Sequence, residues 1–257
     1  MSRTKLLALL AALLLPGMLL APVWQLGGLG AGEDDVLYYY PARQLFRDLI
    51  CAGQWPWLNL WTGLGRPFLA DPQTAVFYPF TWLFVLLPPP WAYPVCLWLH
   101  YSLALWGMYR LLLDMKLGAR AAFLGAIAFA FSGFMLAHRA HFTMQQAAAW
   151  APWVFWQLRA YVLTAGCPRG TRRQRTSLRL AAAVAVIALQ CVAGHIQIAL
   201  LTAIGALIFL AGGVVGSRRR SRLRAFGSLL ARWLIAYLWA AGLFAIQWVP
   251  TLAYLRQ

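Results

Sequence analysis

The chain has 257 residues, of which 62% are hydrophobic, 11% are charged and 14 are tryptophan. That composition excludes a soluble globular domain and marks an integral membrane protein. The net charge of +16 does not mark a nucleic-acid binder, because the basic residues stand in short clusters between apolar runs of about 20 residues, as orientation signals do. The cysteines, at positions 51, 96, 167 and 191, show no CxxC or other metal-ligand spacing, which indicates neither a disulfide framework nor a zinc site.

The first apolar run, residues 5–24, follows Arg3 and Lys5 and has no clear small-x-small cleavage site. It is expected to be a retained span with its start in the cytoplasm. Gly27, Gly28, Gly30 and Gly32 come next; without a preceding strand or a following GK[ST] they make an exit linker and not a phosphate loop. Residues 25–90 are then an external loop holding Glu33, Asp34, Asp35, Asp48 and Asp71, all but one of the 6 acidic residues. Within it, residues 42–50 place Leu45, Phe46, Leu49 and Ile50 on one helical face and Arg43, Arg47 and Asp48 on the other. That pattern predicts a helix lying in the membrane interface.

Residues 76–90 are apolar but short, and are broken by Pro79, Pro88, Pro89 and Pro90. Further spans are expected at 91–113, 121–138, 145–164, 180–195, 197–215 and 228–248. If residues 76–90 do not cross, all of the 22 Lys and Arg except Arg43, Arg47, Arg66, Arg139 and Arg256 fall on the cytoplasmic side. If they do cross, only Arg3, Lys5, Arg139 and Arg256 remain there. The positive-inside rule selects the first arrangement, which makes residues 76–90 a re-entrant or interfacial piece. The expected fold is an all-α integral membrane protein of about seven transmembrane helices, one domain over residues 1–257, with interfacial helices in its long external first loop. The basic loops RGTRRQR, with Arg179, and SRRRSRLR are cytoplasmic anchors for anionic lipid.

This topology gathers polar residues at the external ends of the spans: His138, His141, Gln145, Gln146, His195, Gln197 and Gln247, level with Glu33, Asp34, Asp35 and Asp71. His100 lies inside a span. Polar groups at membrane depth are costly unless paired or wet, so the layer reads either as helix-end caps or as a hydrated cavity open to the outside. His138 and His141, with an external aspartate, have a spacing that a divalent metal accepts. Tyr38, Tyr39, Tyr40, Trp55, Trp57, Trp61, Tyr78 and Trp82 suit either an interfacial belt or a sugar-stacking surface.

The ordered motifs YYP, GQWPWLN, GRPFLADPQTAVFYP, FAFSGFMLAHRAH, AWAPW, AGHIQIAL and AIQWVPTL resemble the YfhO-like bacterial membrane proteins of the GT-C glycosyltransferase superfamily. The likeness covers nearly the whole chain. Family members are longer, so it implies the N-terminal part of such a protein. It further implies an inverting transfer of sugar from a polyprenyl-phosphate donor to an envelope glycan, lipid or protein acceptor on the outer face of the bacterial cytoplasmic membrane. An acidic residue of the first external loop would be the base. In this sequence that role falls on Asp34 or Asp35, with Asp71 as a further carboxylate. The expected substrate-binding residues are Tyr39, Tyr40, Arg66, Gln73, His138, His141, His195 and Gln197, with the phosphate met by an external arginine. The competing reading is a non-catalytic membrane protein: a transporter, a lipid-binding subunit or an inactive fragment.

Overall fold

The structure, a computed structural model, describes residues 3–25, 32–164, 169–215 and 222–256. Gly27, Gly28 and Gly30 of the expected linker, Cys167, and Arg218, Arg219 and Arg220 of the second basic loop lie outside the described residues. The helices are α1 (Arg3–Leu19), α2 (Ala21–Gln25), α3 (Tyr40–Cys51), α4 (Leu83–Leu86), α5 (Pro89–Asp114), α6 (Ala119–Ala130), α7 (Gly133–Ala137), α8 (Phe142–Leu163), α9 (Arg169–Val192), α10 (Ile196–Val215) and α11 (Arg222–Leu255). A π-helical turn, Asp35–Tyr39, leads into α3, and β1 (Leu58–Asn59) pairs antiparallel with β2 (Arg66–Pro67).

Four stretches are long and apolar enough to cross a membrane: Ala119–Ala140, Gln174–Val192, Ile196–Gly213 and Arg222–Leu255. The chain is a helical, multi-pass membrane protein. Helices α5 and α8, 26 and 22 residues long, carry tyrosine, tryptophan and proline, and α8 also glutamine, which lower their hydropathy, and they form the centre of the bundle. Helix α5 packs against α1, α6 and α8; α8 packs against α9 and α10; and α11 packs against α9. On α6, Ala122, Ala126 and Ala130 are fully buried against this centre, since small residues at a four-residue repeat let helix backbones approach closely in lipid.

Hydrogen bonds fix the registers. Gln190 Nε2 on α9 donates to Ala147 O on α8 and to Thr202 Oγ1 on α10, both at 2.9 Å. At one end of the bundle, Arg159 pairs with Asp114, joining α8 to α5. Arg232 on α11 donates to Tyr161 O at 3.1 Å and to Thr164 Oγ1 at 2.9 Å, satisfying a carbonyl at the C-terminus of α8. Near the other end, Trp150 Nε1 donates to Tyr78 OH at 2.8 Å, and Tyr78 OH lies 2.5 Å from His100 Nε2. His100 Nδ1 lies 2.6 Å from Cys96 O, a group that can only accept. The proton is therefore on Nδ1, Nε2 accepts, and Tyr78 donates to it. His100, expected inside a span, is thus the anchor for the FYP stretch.

The structure differs from the sequence expectation at several points. Residues 121–138 are not one helix: Ser132, extended and accepting a bond from Met135 N at 3.4 Å, caps α7 after α6 has ended at Ala130. Residues 169–179 are helical and not a loop, extending α9 back from residue 180, and α11 starts at Arg222 instead of 228. Residues 76–90 hold only a 3-10 turn, Pro79–Trp82, the single-turn α4 and the start of α5, too short a run of helix to cross. On α3, the helix is present but the faces differ. Tyr39, Ala42, Arg43 and Phe46, at spacings of three and four, form the buried stripe, and Arg47 is half-buried, donating to Phe84 O and Val85 O at 2.9 and 2.7 Å. Arg43 and Arg47 of the expected polar face thus pack on protein, while Asp48 stays exposed.

The turn between α9 and α10 depends on Gly194, whose φ is +97°. A Cβ there would stand 2.7 Å from Pro72 O and 3.0 Å from Thr143 Cγ2. Gly194→Ala is expected to destabilise the fold by about 1–3 kcal/mol through backbone strain alone, read as a lower thermal midpoint in detergent by tryptophan fluorescence. An unchanged midpoint would contradict this placement of the turn.

Candidate functional site

The two carboxyl groups at the start of the π-helical turn have opposite surroundings. Gly32 lies against Ala140, where a Cβ would overlap Ala140 Cβ at 1.9 Å, and this seats the acidic turn on the His138–Ala140 turn. Asp34 Oδ2 then lies 3.3 Å from His141 Nε2, with the two side chains 56% and 47% exposed. Asp35 is 1% exposed; its Oδ1 accepts from Tyr93 OH of α5 and its Oδ2 has no partner among the described residues. Burial pushes the Asp35 carboxyl up to about 8; Arg139 opposes this rise and Asp34 adds to it.

Tyr38 and Tyr39, at the end of the same turn, hold a second acidic position. Tyr38 OH donates to Asp71 Oδ2 at 2.5 Å, and Asp71 Oδ1 accepts from Gln73 N at 2.9 Å, capping the 3-10 turn Pro72–Thr74. Tyr39 OH donates to Gln73 Oε1 at 3.0 Å, so Thr143 Oγ1, also 3.0 Å away, is the donor to Tyr39. Burial raises both phenols, with Asp71 adding to the rise of Tyr38. Behind them sits Arg43, 0% exposed, between the rings of Phe84 and Phe142 at 5.6 and 5.8 Å. It donates to Thr74 O and, at 3.5 Å, to Gln73 O, and thereby fixes the loop that carries Asp71. From the other side, Gln247 Nε2 donates to Leu69 O at 3.0 Å and Thr251 Oγ1 to Ala70 O at 2.8 Å.

These contacts leave an open groove of about 330 Å³ lined by Tyr38, Arg66, Asp71, Gln73, Thr251 and Tyr254, among others. The predicted residues therefore divide. Asp34 and His141 make one exposed pair, Asp71, Gln73 and Arg66 share the groove, and Tyr39 joins the groove floor to α8. Tyr40 is half-buried and has no side-chain hydrogen bond among the described residues. His138 stacks on Phe134 at 4.3 Å, donates Nδ1 to Phe134 O at 2.9 Å and stands 5.4 Å, ring to ring, from His141. His195 Nδ1 accepts from Ile198 N at 3.4 Å at the start of α10; burial lowers its pKa, and His141 and His138 act in the same direction. Gln197 is exposed and has no hydrogen-bond partner among the described residues.

Gln145 and Gln146 do not open to the outside. Both are 0% exposed inside the bundle, where Gln146 Nε2 donates to Cys96 Sγ at 3.2 Å. Among the described residues no group of three or more His, Cys, Asp or Glu is placed to hold a metal ion; His138 and His141 find no third ligand. Sequence reasoning missed Tyr93 and Thr143 as partners of the acidic turn, and Thr251 and Tyr254 as groove walls. Thr143 stood between two selected residues and Thr251 within the motif AIQWVPTL, whereas Tyr93 and Tyr254 gave no local signal.

Asp35 makes stability depend on pH. Its value in the fold lies above the ordinary 3.8, so the folded state holds a proton that the unfolded chain releases. The resulting stabilisation is full below about pH 4 and is lost as pH rises through about 8. Thermal midpoints in detergent should fall over this window in the native protein. Asp35→Asn, which keeps an acceptor for Tyr93, should flatten the profile. A variant profile as steep as the native one would exclude Asp35 as the cause.

In comparisons with known proteins, no family model, no curated protein and no solved structure matches the chain.

Proposed function

We propose that the protein is a membrane-embedded inverting glycosyltransferase of the GT-C type. It passes a sugar from a polyprenyl-phosphate donor to a hydroxyl of an envelope glycan, lipid or protein on the outer face of the cytoplasmic membrane. The observation that carries this reading is the half-exposed Asp34 carboxyl group held by His141, next to a neighbour, Asp35, that is closed off from solvent. The motif order and the distribution of arginines support the same reading.

In this scheme Asp34 is the base. Its Oδ2 is held by His141, which leaves Oδ1 for the acceptor hydroxyl. The acceptor oxygen attacks the anomeric carbon on the face opposite the lipid phosphate while its proton passes to Asp34. The carbon–oxygen bond to the phosphate breaks, the phosphate leaves with the electron pair, and the new glycoside has inverted configuration. Arg139, whose charge acts on Asp35, is the guanidinium that stabilises the leaving phosphate in this scheme. Asp35, bonded to Tyr93, positions the turn. Asp71, whose two oxygens each accept one hydrogen bond, is a binding group in this scheme.

Asp34→Asn should lower transfer from a labelled polyprenyl-phosphate hexose by about 10²–10⁴-fold with membrane insertion unchanged. Full activity in this variant would overturn the assignment. Carrier lipid bound with no turnover by the native protein would point to the non-catalytic reading.

The side of the membrane is tested separately by Cys51, which is exposed at the end of α3. An impermeant maleimide should label intact cells, and Cys51→Ser should abolish that label. Labelling that requires opened membranes would place the loop in the cytoplasm.

A further inference from the structure

At the end of the bundle opposite the acidic turn, the guanidinium of Arg110 on α5 lies over the ring of Trp156 on α8, 4.9 Å from its centroid. We propose that these two side chains form a headgroup site for an anionic phospholipid in the leaflet at that end. Binding here is independent of the transfer reading and needs only that the chain spans a bilayer.

From Tyr93, which holds Asp35, to Arg110 is about 26 Å along α5 by the helical rise per residue. That is close to the roughly 30 Å of a bilayer's hydrocarbon core. With the acidic turn at one membrane surface, Arg110 stands at the other, at the depth of the lipid phosphates. It is half-buried and lies one helical turn before Asp114, yet Asp114 pairs with Arg159 instead. Among the described residues no ion pair and no hydrogen bond engages the Arg110 guanidinium.

The pair continues the contact between α5 and α8. Trp153 packs on Gly107 and donates Nε1 to Leu103 O at 2.9 Å. Three residues further on, Trp156 underlies Arg110, and three beyond that Arg159 meets Asp114. The indole N–H groups of Trp150 and Trp153 are spent inside the bundle, whereas that of Trp156, also half-buried, has no acceptor among the described residues. One indole donor therefore stands beside an open guanidinium fork.

Groups that only donate, and carry positive charge at headgroup depth, call for a phosphodiester, whose two free oxygens match the fork. The ring beneath the guanidinium holds it in plane. Charge selects the anionic kind of lipid. Arg110, Lys116, Arg120 and Arg159 share this end with a single carboxylate, Asp114, and the ammonium of a zwitterionic headgroup would add one more cation to them. Arg175 and Arg179, exposed on α9, attract the same leaflet by charge without such a seat.

The test is native mass spectrometry of the purified protein titrated with equal phosphatidylglycerol and phosphatidylcholine of the same acyl chains. One phosphatidylglycerol should be retained in preference. Arg110→Gln, which keeps a donor and removes the charge, should weaken it by about fivefold or more and leave phosphatidylcholine unchanged. Trp156→Phe, which keeps a ring and removes the indole donor, should weaken it in the same direction. The double variant Arg175→Gln and Arg179→Gln should keep it. Phosphatidylglycerol should also raise the thermal midpoint of the native protein in detergent but not that of Arg110→Gln. No preference for phosphatidylglycerol, a preference that Arg110→Gln and Trp156→Phe leave intact, or one that the α9 double variant abolishes, overturns the proposal whatever the outcome for transfer activity.

Discussion

The bonded chain Trp150–Tyr78–His100–Cys96 is the constraint on which the rest depends. A long stretch of largely non-helical backbone, from the end of α3 to the start of α5, has to sit on the end of a helix bundle in a membrane, where unsatisfied polar groups are costly. The chain of donors and acceptors runs from α8 through Tyr78 into α5 and leaves no polar atom of the three side chains idle. With Tyr78 pinned, the preceding turn Pro72–Thr74 and its cap Asp71 are delivered to the side of α8 that carries Thr143. Asp71, Gln73 and Tyr39 meet there because the backbone upstream of Tyr78 has nowhere else to go.

The acidic turn shows how one residue of offset separates two identical side chains. Consecutive positions on a helix point about 100° apart, so when Asp35 faces Tyr93 and the interior, Asp34 faces out towards His141. The buried member anchors and the open one is available for proton transfer. No third group is needed to tell them apart.

Much of this architecture was legible in the chain itself. Apolar runs at about bilayer length located the bundle helices, and the concentration of carboxylates before the aromatic loop drew attention to the acidic turn. The misreadings have physical causes. Arg43 was placed on the polar face of α3 because its charge outweighed its spacing, although it falls four residues after Tyr39 and three before Phe46, on the stripe that is buried. Gln145 and Gln146 left helix-end caps and a hydrated cavity both open, because amides inside a bundle and at its surface have the same composition. The break in the third span turned on a Ser–Gly pair in an otherwise continuous apolar run. Thr251 and Tyr254 reach a groove whose other residues lie some 180 positions away (Thr251 to Ala70 is a separation of 181), and no local period encodes such a contact.

The guanidinium of Arg43 has a consequence for how the loop assembles. It is enclosed by Phe84 from the segment before α5, by Phe142 from α8 and by the carbonyls of Gln73 and Thr74, and no carboxylate among the described residues pairs with it. A cation in a half-closed version of that box would have lost part of its water and not yet gained its carbonyls, the worst of both environments. The three pieces therefore close together or not at all, and the acidic loop docks in a single cooperative step.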